Sequence, residues 1–207
     1  MHQYIADTQY AVHGLIELIT AEERELSQLQ SQHEGISRKV EYLHQSLLDA
    51  QFNDVAPLRE QAIAIDSHRA SEDLADLQKQ IIELQNSISI KGASIDALCG
   101  AIFQIAKQGI STVHGGLDRC PDGRSIGKGA EVEKLKNVVW QARNQSMHYE
   151  EGSFQSPVTN CFSKLEASLG SKFSLSENAG KNLAHNVIQE LGWKDYLRYE
   201  SDMQSLI

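Results

Sequence analysis

The stretch from Ile5 to Leu47, IADTQYAVHGLIELITAEERELSQLQSQHEGISRKVEYLHQSL, decides the fold. Its apolar residues step by alternating four and three: Ile5, then Val12, Leu15 and Ile19, then Leu26, Leu29, Ile36, Val40, Leu43 and Leu47. That is the heptad spacing of a helix with one apolar seam. Thr8, Glu22 and His33 are polar exceptions at seam positions. Such exceptions cost stability and fix register, and His33 is read in that way rather than as a pH switch. About 45 residues rising about 1.5 Å each make a rod of roughly 70 Å.

Working outward, residues 51–57, QFNDVAP, interrupt the rod. Asn53-Asp54 favours a turn, and Pro57 disfavours helix at Ala56 while suiting a helix start. The spacing then resumes with Ile63, Ala70, Leu74, Leu77, Ile81, Leu84 and Ile88, and continues in frame through Ile95, Leu98, Ile102 and Ile105. A short break between two heptad segments predicts an antiparallel coiled-coil hairpin, with a coiled coil between chains as the competing arrangement. The fold class is all-α: a long antiparallel coiled-coil hairpin over residues 1–90, joined to a compact helical bundle over residues 91–207.

The totals agree. Aromatics make up 6% of the chain and there are three prolines, too few for the recurrent turns of a sandwich or barrel. No apolar run approaches the roughly 18–20 residues of a membrane span, and residues 1–10 lack the pattern of a secretory signal. Cys99, Cys120 and Cys161 are odd in number and widely spaced, which suggests neither a disulfide framework nor a zinc site. A cytoplasmic protein without membrane, metal or cofactor is expected. Residues 1–90 carry 15 acidic against 6 basic side chains, and residues 91–207 carry 13 of each. The first half should repel nucleic acid, and the second is permissive.

In the second half, residues 93–110 are too apolar all round for a surface helix, so they form the first helix of the bundle. Residues 114–129, HGGLDRCPDGRSIGKG, read as a loop. Helices follow over residues 130–151, stopped by Gly152, and over residues 157–169, opened by Ser156-Pro157 and ended by Gly170. A last helix is expected from a Ser176 cap to about residue 201.

The second of these helices carries the chemistry. On a wheel of about 100° per residue, Leu135, Val139 and Ala142 lie near Val132, and Arg143 falls about 20° from it, inside the apolar stripe. An arginine there needs a partner for its charge or a shared cavity. His148 lies about 140° further round, while Asn144, four residues before His148, can share its face. Arg143 as a buried ion-pair member and His148 as a helix C-terminal cation is the purely structural reading of this wheel.

The run Arg143-Asn144-Gln145-Ser146-Met147-His148, near the end of an apolar helix in a small all-α domain, resembles the Arg-x4-His signature of the HEPN superfamily. The resemblance covers roughly residues 91–203 and leaves the hairpin outside. It implies a homodimer or higher oligomer that brings two Arg-His pairs into one cleft. It further implies metal-independent cleavage of RNA, the ribose 2′-OH attacking the adjacent phosphate. His148 would be the general acid/base, Arg143 the phosphate stabiliser and Asn144 the orienting residue. Tyr149 and Trp140 are candidates for stacking bases, and Lys128 and Arg124 for attracting RNA. For an enzyme of toxin or host-defence type, the hairpin would serve oligomerisation, docking of a partner such as an antitoxin or a sensor protein, or restraint of the active site. The alternative is a non-catalytic HEPN-like dimerisation and protein-interaction module with a coiled-coil docking arm.

Two further strings carry little. Gly123-Arg124-Ser125-Ile126-Gly127 matches a hydrolase elbow but lacks the strand and sheet that chemistry needs. Gly127-Lys128 lacks the spacing and the Ser/Thr of a phosphate loop.

Overall fold

A computed structural model of the chain describes residues 2–52, 57–129 and 131–207, with the side chains of all of these except residues 47, 49–52 and 57–70. The turn expected at Asn53-Asp54, the seam side chains Leu47, Ile63 and Ala70, and the helix start expected at Ala130 lie outside the described residues.

The heptad seams become two long helices, α1 (Gln3–Phe52) and α2 (Pro57–His114), which pack against each other as an antiparallel hairpin within one chain. Every described seam position is buried or half-buried, from Val12 through Leu43 on α1 and from Leu74 through Ile105 on α2. After the hairpin comes a two-residue antiparallel ribbon, β1 (Ser125–Ile126) with β2 (Glu133–Lys134), pairing Ser125 with Lys134 and Ile126 with Glu133. Then follow α3 (Leu135–His148), a 3-10 turn (Tyr149–Glu151), α4 (Ser156–Leu169), α5 (Ala184–Leu191) and α6 (Tyr196–Leu206).

Two compact units emerge, and they do not divide at residue 90. The first 23 residues belong with Ala93–Ile207, and the second unit is Arg24–Gly92. The cause is visible in the packing: Ile5, Val12 and Ile19 are buried as fully as Cys99, Ile102 and Phe103 of α2. Tyr4 donates its hydroxyl to the Ile105 carbonyl at 2.8 Å, and a Cβ on Gly109 would meet the Tyr4 ring at 2.7 Å. In the second unit the hairpin is tied by Lys91, which occupies a seam position and reaches Glu25 at 2.7 Å.

The core of the compact unit centres on aromatic side chains. Trp193 lies against Phe103 and edge-on to Tyr199, both fully buried. Its indole donates to Asp202 at 2.9 Å, and Arg124 grips the same carboxylate with two hydrogen bonds of 2.8 Å. Asp202 is 4% exposed, so the two donors satisfy a charge that would otherwise be stranded.

One stretch within Ser71–His114 is long and apolar enough to cross a membrane by length and composition, with 28% of it buried. A count of unbroken apolar runs misses it because its residues are largely small, and between Lys91 and Lys107 the one charge is Asp96. Ile95, Cys99, Ile102, Phe103 and Ala106 on its inner face are core residues of the compact unit. The three thiols are free and buried. Burial pushes the Cys161 thiol up to about 12 and raises those of Cys99 and Cys120, so none is a ready nucleophile.

The expected last helix is two helices. Ser176 caps nothing; residues 175–180 turn instead, and Gly180 and Gly192 adopt φ of 70° and 73°, which ends helical continuity at each. The helix expected from residue 130 begins at Leu135, because Glu133–Lys134 pair with β1.

Candidate functional site

The Arg143–His148 segment is positioned by α3, and α3 is anchored at both ends without a side-chain cap. The first free N–H groups of the helix, on Leu135 and Lys136, donate to the carbonyls of Arg124 and Asp122 at 2.9 and 3.3 Å. Lower down, Gln145 is 1% exposed and its amide bridges outward, donating to the Lys181 carbonyl at 2.8 Å and accepting from the Leu183 N–H at 2.9 Å. A third tie is close approach: a Cβ on Gly100 of α2 would meet the Ser146 hydroxyl at 3.3 Å.

These ties fix where Arg143 goes. It is half-buried against α2, one turn beyond Gly100, and its Nε donates to Gln104 Oε1 at 2.7 Å. Its Nη1 donates to Asn144 Oδ1 at 3.3 Å, and Asn144 in turn donates to Gln141 Oε1 at 3.1 Å. Arg143 makes no ion pair with a described residue. A guanidinium withdrawn from water and met only by neutral amide oxygens keeps its charge available for an anion.

His148 is the last residue of α3, and its side chain is 49% exposed. Its φ of −128° marks the point where the helix gives way to the 3-10 turn, so the helix does loosen at Tyr149. That turn brings Glu151 back to the imidazole, with Nδ1 and Glu151 Oε1 2.6 Å apart. An ionised carboxylate can only accept, so paired with one the imidazole donates from Nδ1 and leaves Nε2 as the ring nitrogen free to meet a substrate.

A cleft of about 290 Å³ opens at this end of α3. Asn144 and His148, one turn apart, form one wall, with Glu151 beside them. Ser153, Phe154, Gln155 and Val158 of α4 complete the lining. Arg143 does not line the cleft and reaches it only through Asn144. The structure therefore brings together Asn144 and His148, links Arg143 to them by a hydrogen bond, and leaves the two catalytic candidates on different sides of the helix.

The other expected site residues are engaged or exposed. Arg124 is committed to Asp202 and the Leu191 carbonyl, as a clamp between the glycine-rich loop and α6. Lys128 is exposed in the turn between β1 and β2. Trp140 is half-buried with the Lys107 ammonium 4.6 Å from its ring centre. Tyr149 donates its hydroxyl to Glu150 at 3.0 Å, which raises its pKa.

Sequence reasoning missed Glu151, Gln104 and Phe154. For Glu151 a signal was present, an acid three residues after a histidine on a helix end. Gln104 and Phe154 reach the site by tertiary packing and left no signal. Comparison of the chain with known protein families, characterised proteins and solved structures finds no match.

Proposed function

We propose that the protein is a metal-independent RNA endonuclease of toxin or host-defence type, acting in the cytoplasm as a homodimer with a composite Arg/His site. The observation that carries this reading is the half-buried Arg143 guanidinium, held by two amide oxygens and, among the described residues, no carboxylate, one hydrogen bond from Asn144, which lines the same cleft as His148. In the reaction, His148 Nε2 takes the proton of a ribose 2′-OH, whose oxygen attacks the adjacent phosphorus. The phosphorus–5′-oxygen bond breaks, leaving a 2′,3′-cyclic phosphate. A second histidine, the same residue of the other subunit, gives its proton to the departing 5′-oxygen. Arg143 offsets the charge on the crowded phosphate. Two subunits are required because one chain points Arg143 and His148 to different sides of α3.

The test is a denaturing gel of total RNA incubated with purified protein in excess EDTA. Wild-type protein should give discrete products. His148→Ala should lose about 10²–10⁴-fold in rate, and Arg143→Ala about 10²–10³-fold. Cleavage that survives His148→Ala removes the mechanism.

A second reading, a non-catalytic HEPN-like module docking a protein through the hairpin, is favoured by one observation. Tyr42, Ile82 and Ile90 of the Arg24–Gly92 unit are 72%, 61% and 72% exposed, large apolar side chains in water. Complete absence of cleavage by wild type, even with a lysate from stressed or infected cells added, favours this module.

A further inference from the structure

The chain has a net charge of −9, yet its two longest runs without an aspartate or glutamate, residues 97–117 and 135–149, pack against each other. Three contacts, about one turn apart, mark the line along which α2 meets α3. Ser146 lies close to Gly100, Gln104 holds Arg143, and Lys107 lies over Trp140. The charges along this line are Lys107 from α2 and Arg143 from α3, with Lys136 one turn further on. Lys136 is neutralised by Asp122 at 2.9 Å. Lys107 and Arg143 make no ion pair with a described residue. A groove of one sign in an otherwise acidic chain attracts anions to one place.

The free donors specify the anion. A guanidinium has five N–H groups. In Arg143, Nε is taken by Gln104 and one hydrogen of Nη1 by Asn144, and the rest meet no described residue. The Lys107 ammonium lies 4.6 Å from the centre of the Trp140 ring and makes no hydrogen bond with a described residue. A ring face attracts an ammonium but carries no net charge, so Trp140 positions Lys107 without neutralising it. Both cations are half-buried and have given up part of their water. A phosphodiester, with one charge shared by two unbridged oxygens, can meet a cation with each of them.

We propose that the phosphate at which the histidine acts is seated in this α2–α3 groove and bridges Arg143 and Lys107, which makes Lys107 a second cationic contact to the substrate. The proposal rests on the ribonuclease reading for the nature of the phosphate. Arg143 faces α2 and stays outside the cleft of His148, so a phosphate in the groove meets a histidine of the other subunit. The two cations then divide the work. Lys107, a point charge on a flexible stem, holds the phosphate alike before and during reaction and acts on KM. Arg143, its fork fixed by Gln104 and Asn144, acts on kcat.

Binding is tested apart from cleavage with a fluorescent 2′-O-methyl oligoribonucleotide, which lacks the attacking hydroxyl, read by anisotropy across a salt series. Lys107→Met keeps the stem over Trp140 and removes the charge. It should weaken binding about tenfold and flatten the slope of log affinity against log salt by about 0.7, one phosphate contact on a single strand. Lys107→Arg should restore the slope, and circular dichroism should be unaltered in both. No binding by wild type, or a slope unchanged in Lys107→Met, overturns the proposal, since a lysine that only packs on Trp140 leaves the slope alone. Cleavage kinetics in EDTA separate the two readings. Lys107→Met should raise KM about tenfold with kcat near that of wild type. Cleavage with KM unchanged in Lys107→Met keeps the ribonuclease and removes the groove. Lys107-dependent binding without any cleavage keeps the groove as a phosphate site and removes the catalytic reading.

Discussion

Trp193 is wholly buried in the compact unit, whereas the best-buried described side chain of the Arg24–Gly92 unit, Leu77, keeps 9% of its surface in water. The compact unit gathers long-range aromatic contacts and a satisfied buried carboxylate around one centre. The hairpin segment spreads half-buried aliphatic side chains along a seam, each supported only by its near neighbours. Cooperativity should follow the same division. A lesion in the aromatic core should be felt throughout its unit, and one in the hairpin should stay local. Both tryptophans, Trp140 and Trp193, lie in the compact unit, so tryptophan fluorescence reports that unit alone while far-ultraviolet circular dichroism reports both.

The largest effect expected is at Asp202. Asp202→Ala removes the partner of Arg124 and of the Trp193 indole together, and should destabilise the compact unit by about 3–5 kcal/mol. Chemical denaturation followed by fluorescence measures it, and a cost below about 1 kcal/mol breaks the view that the unit depends on its satisfied centre. Next, Leu77→Ala should cost about 2 kcal/mol. It should lower the helical signal in circular dichroism at a denaturant concentration where fluorescence has not moved. Coincident transitions by the two probes would show one cooperative structure and erase the contrast.

A smaller effect sharpens the comparison through pH. Glu133 is 6% exposed. Burial would raise its carboxyl, but hydrogen bonds from Asn137, the Lys134 N–H and Lys164 outweigh that and hold it below its ordinary value. A lowered carboxyl stabilises the fold above the ordinary value near 4.5 and loses that contribution as pH falls through the folded value. Glu133→Gln should therefore cost about 1–2 kcal/mol near neutrality. The gap from wild type should close in acid, measured as denaturation midpoints across pH. A gap that widens in acid contradicts the assignment. Least of all, Lys91→Ala in the hairpin should change stability by less than about 1 kcal/mol, because Glu25 is 61% exposed and solvent screens the pair.

The hairpin was legible because heptad spacing is a local signal that survives translation into structure residue by residue. What the seam did not reveal is its partner. Ile5, Val12 and Ile19 carry the same spacing as Leu26 and Leu29, yet the former are buried in the compact unit and the latter belong to the Arg24–Gly92 unit. Periodicity reports which face of a helix is covered, not by what. The two-helix end of the chain was misread for a related reason: Ser176 offered a good cap, and only the tertiary setting selects Gly180 and Gly192 as turns. In the site, the wheel placed Arg143 on the inner side and Asn144 with His148 on one face, as found. Arg124 looked like a loop cation available to RNA, but its carboxylate lies 78 residues away in sequence, beyond the reach of local patterning.

The pairing of the first 23 residues with residues 93–207 also bears on how the molecule is made. Tyr4 meets Ile105 and Gly109, and the same glycine faces Ile207. At roughly 5–20 residues per second, a ribosome needs on the order of 10–40 s to deliver the last of these partners after the first has emerged. Until residues 93–114 appear, about halfway through that interval, the apolar face of Ile5, Val12 and Ile19 has no partner on α2. The seam of residues 24–92 is complete by then. Zipping it shut during synthesis would draw the waiting N-terminal segment alongside residues 93–114 as they appear. In the nascent chain, then, the hairpin segment acts as a clasp that shortens the search for the core.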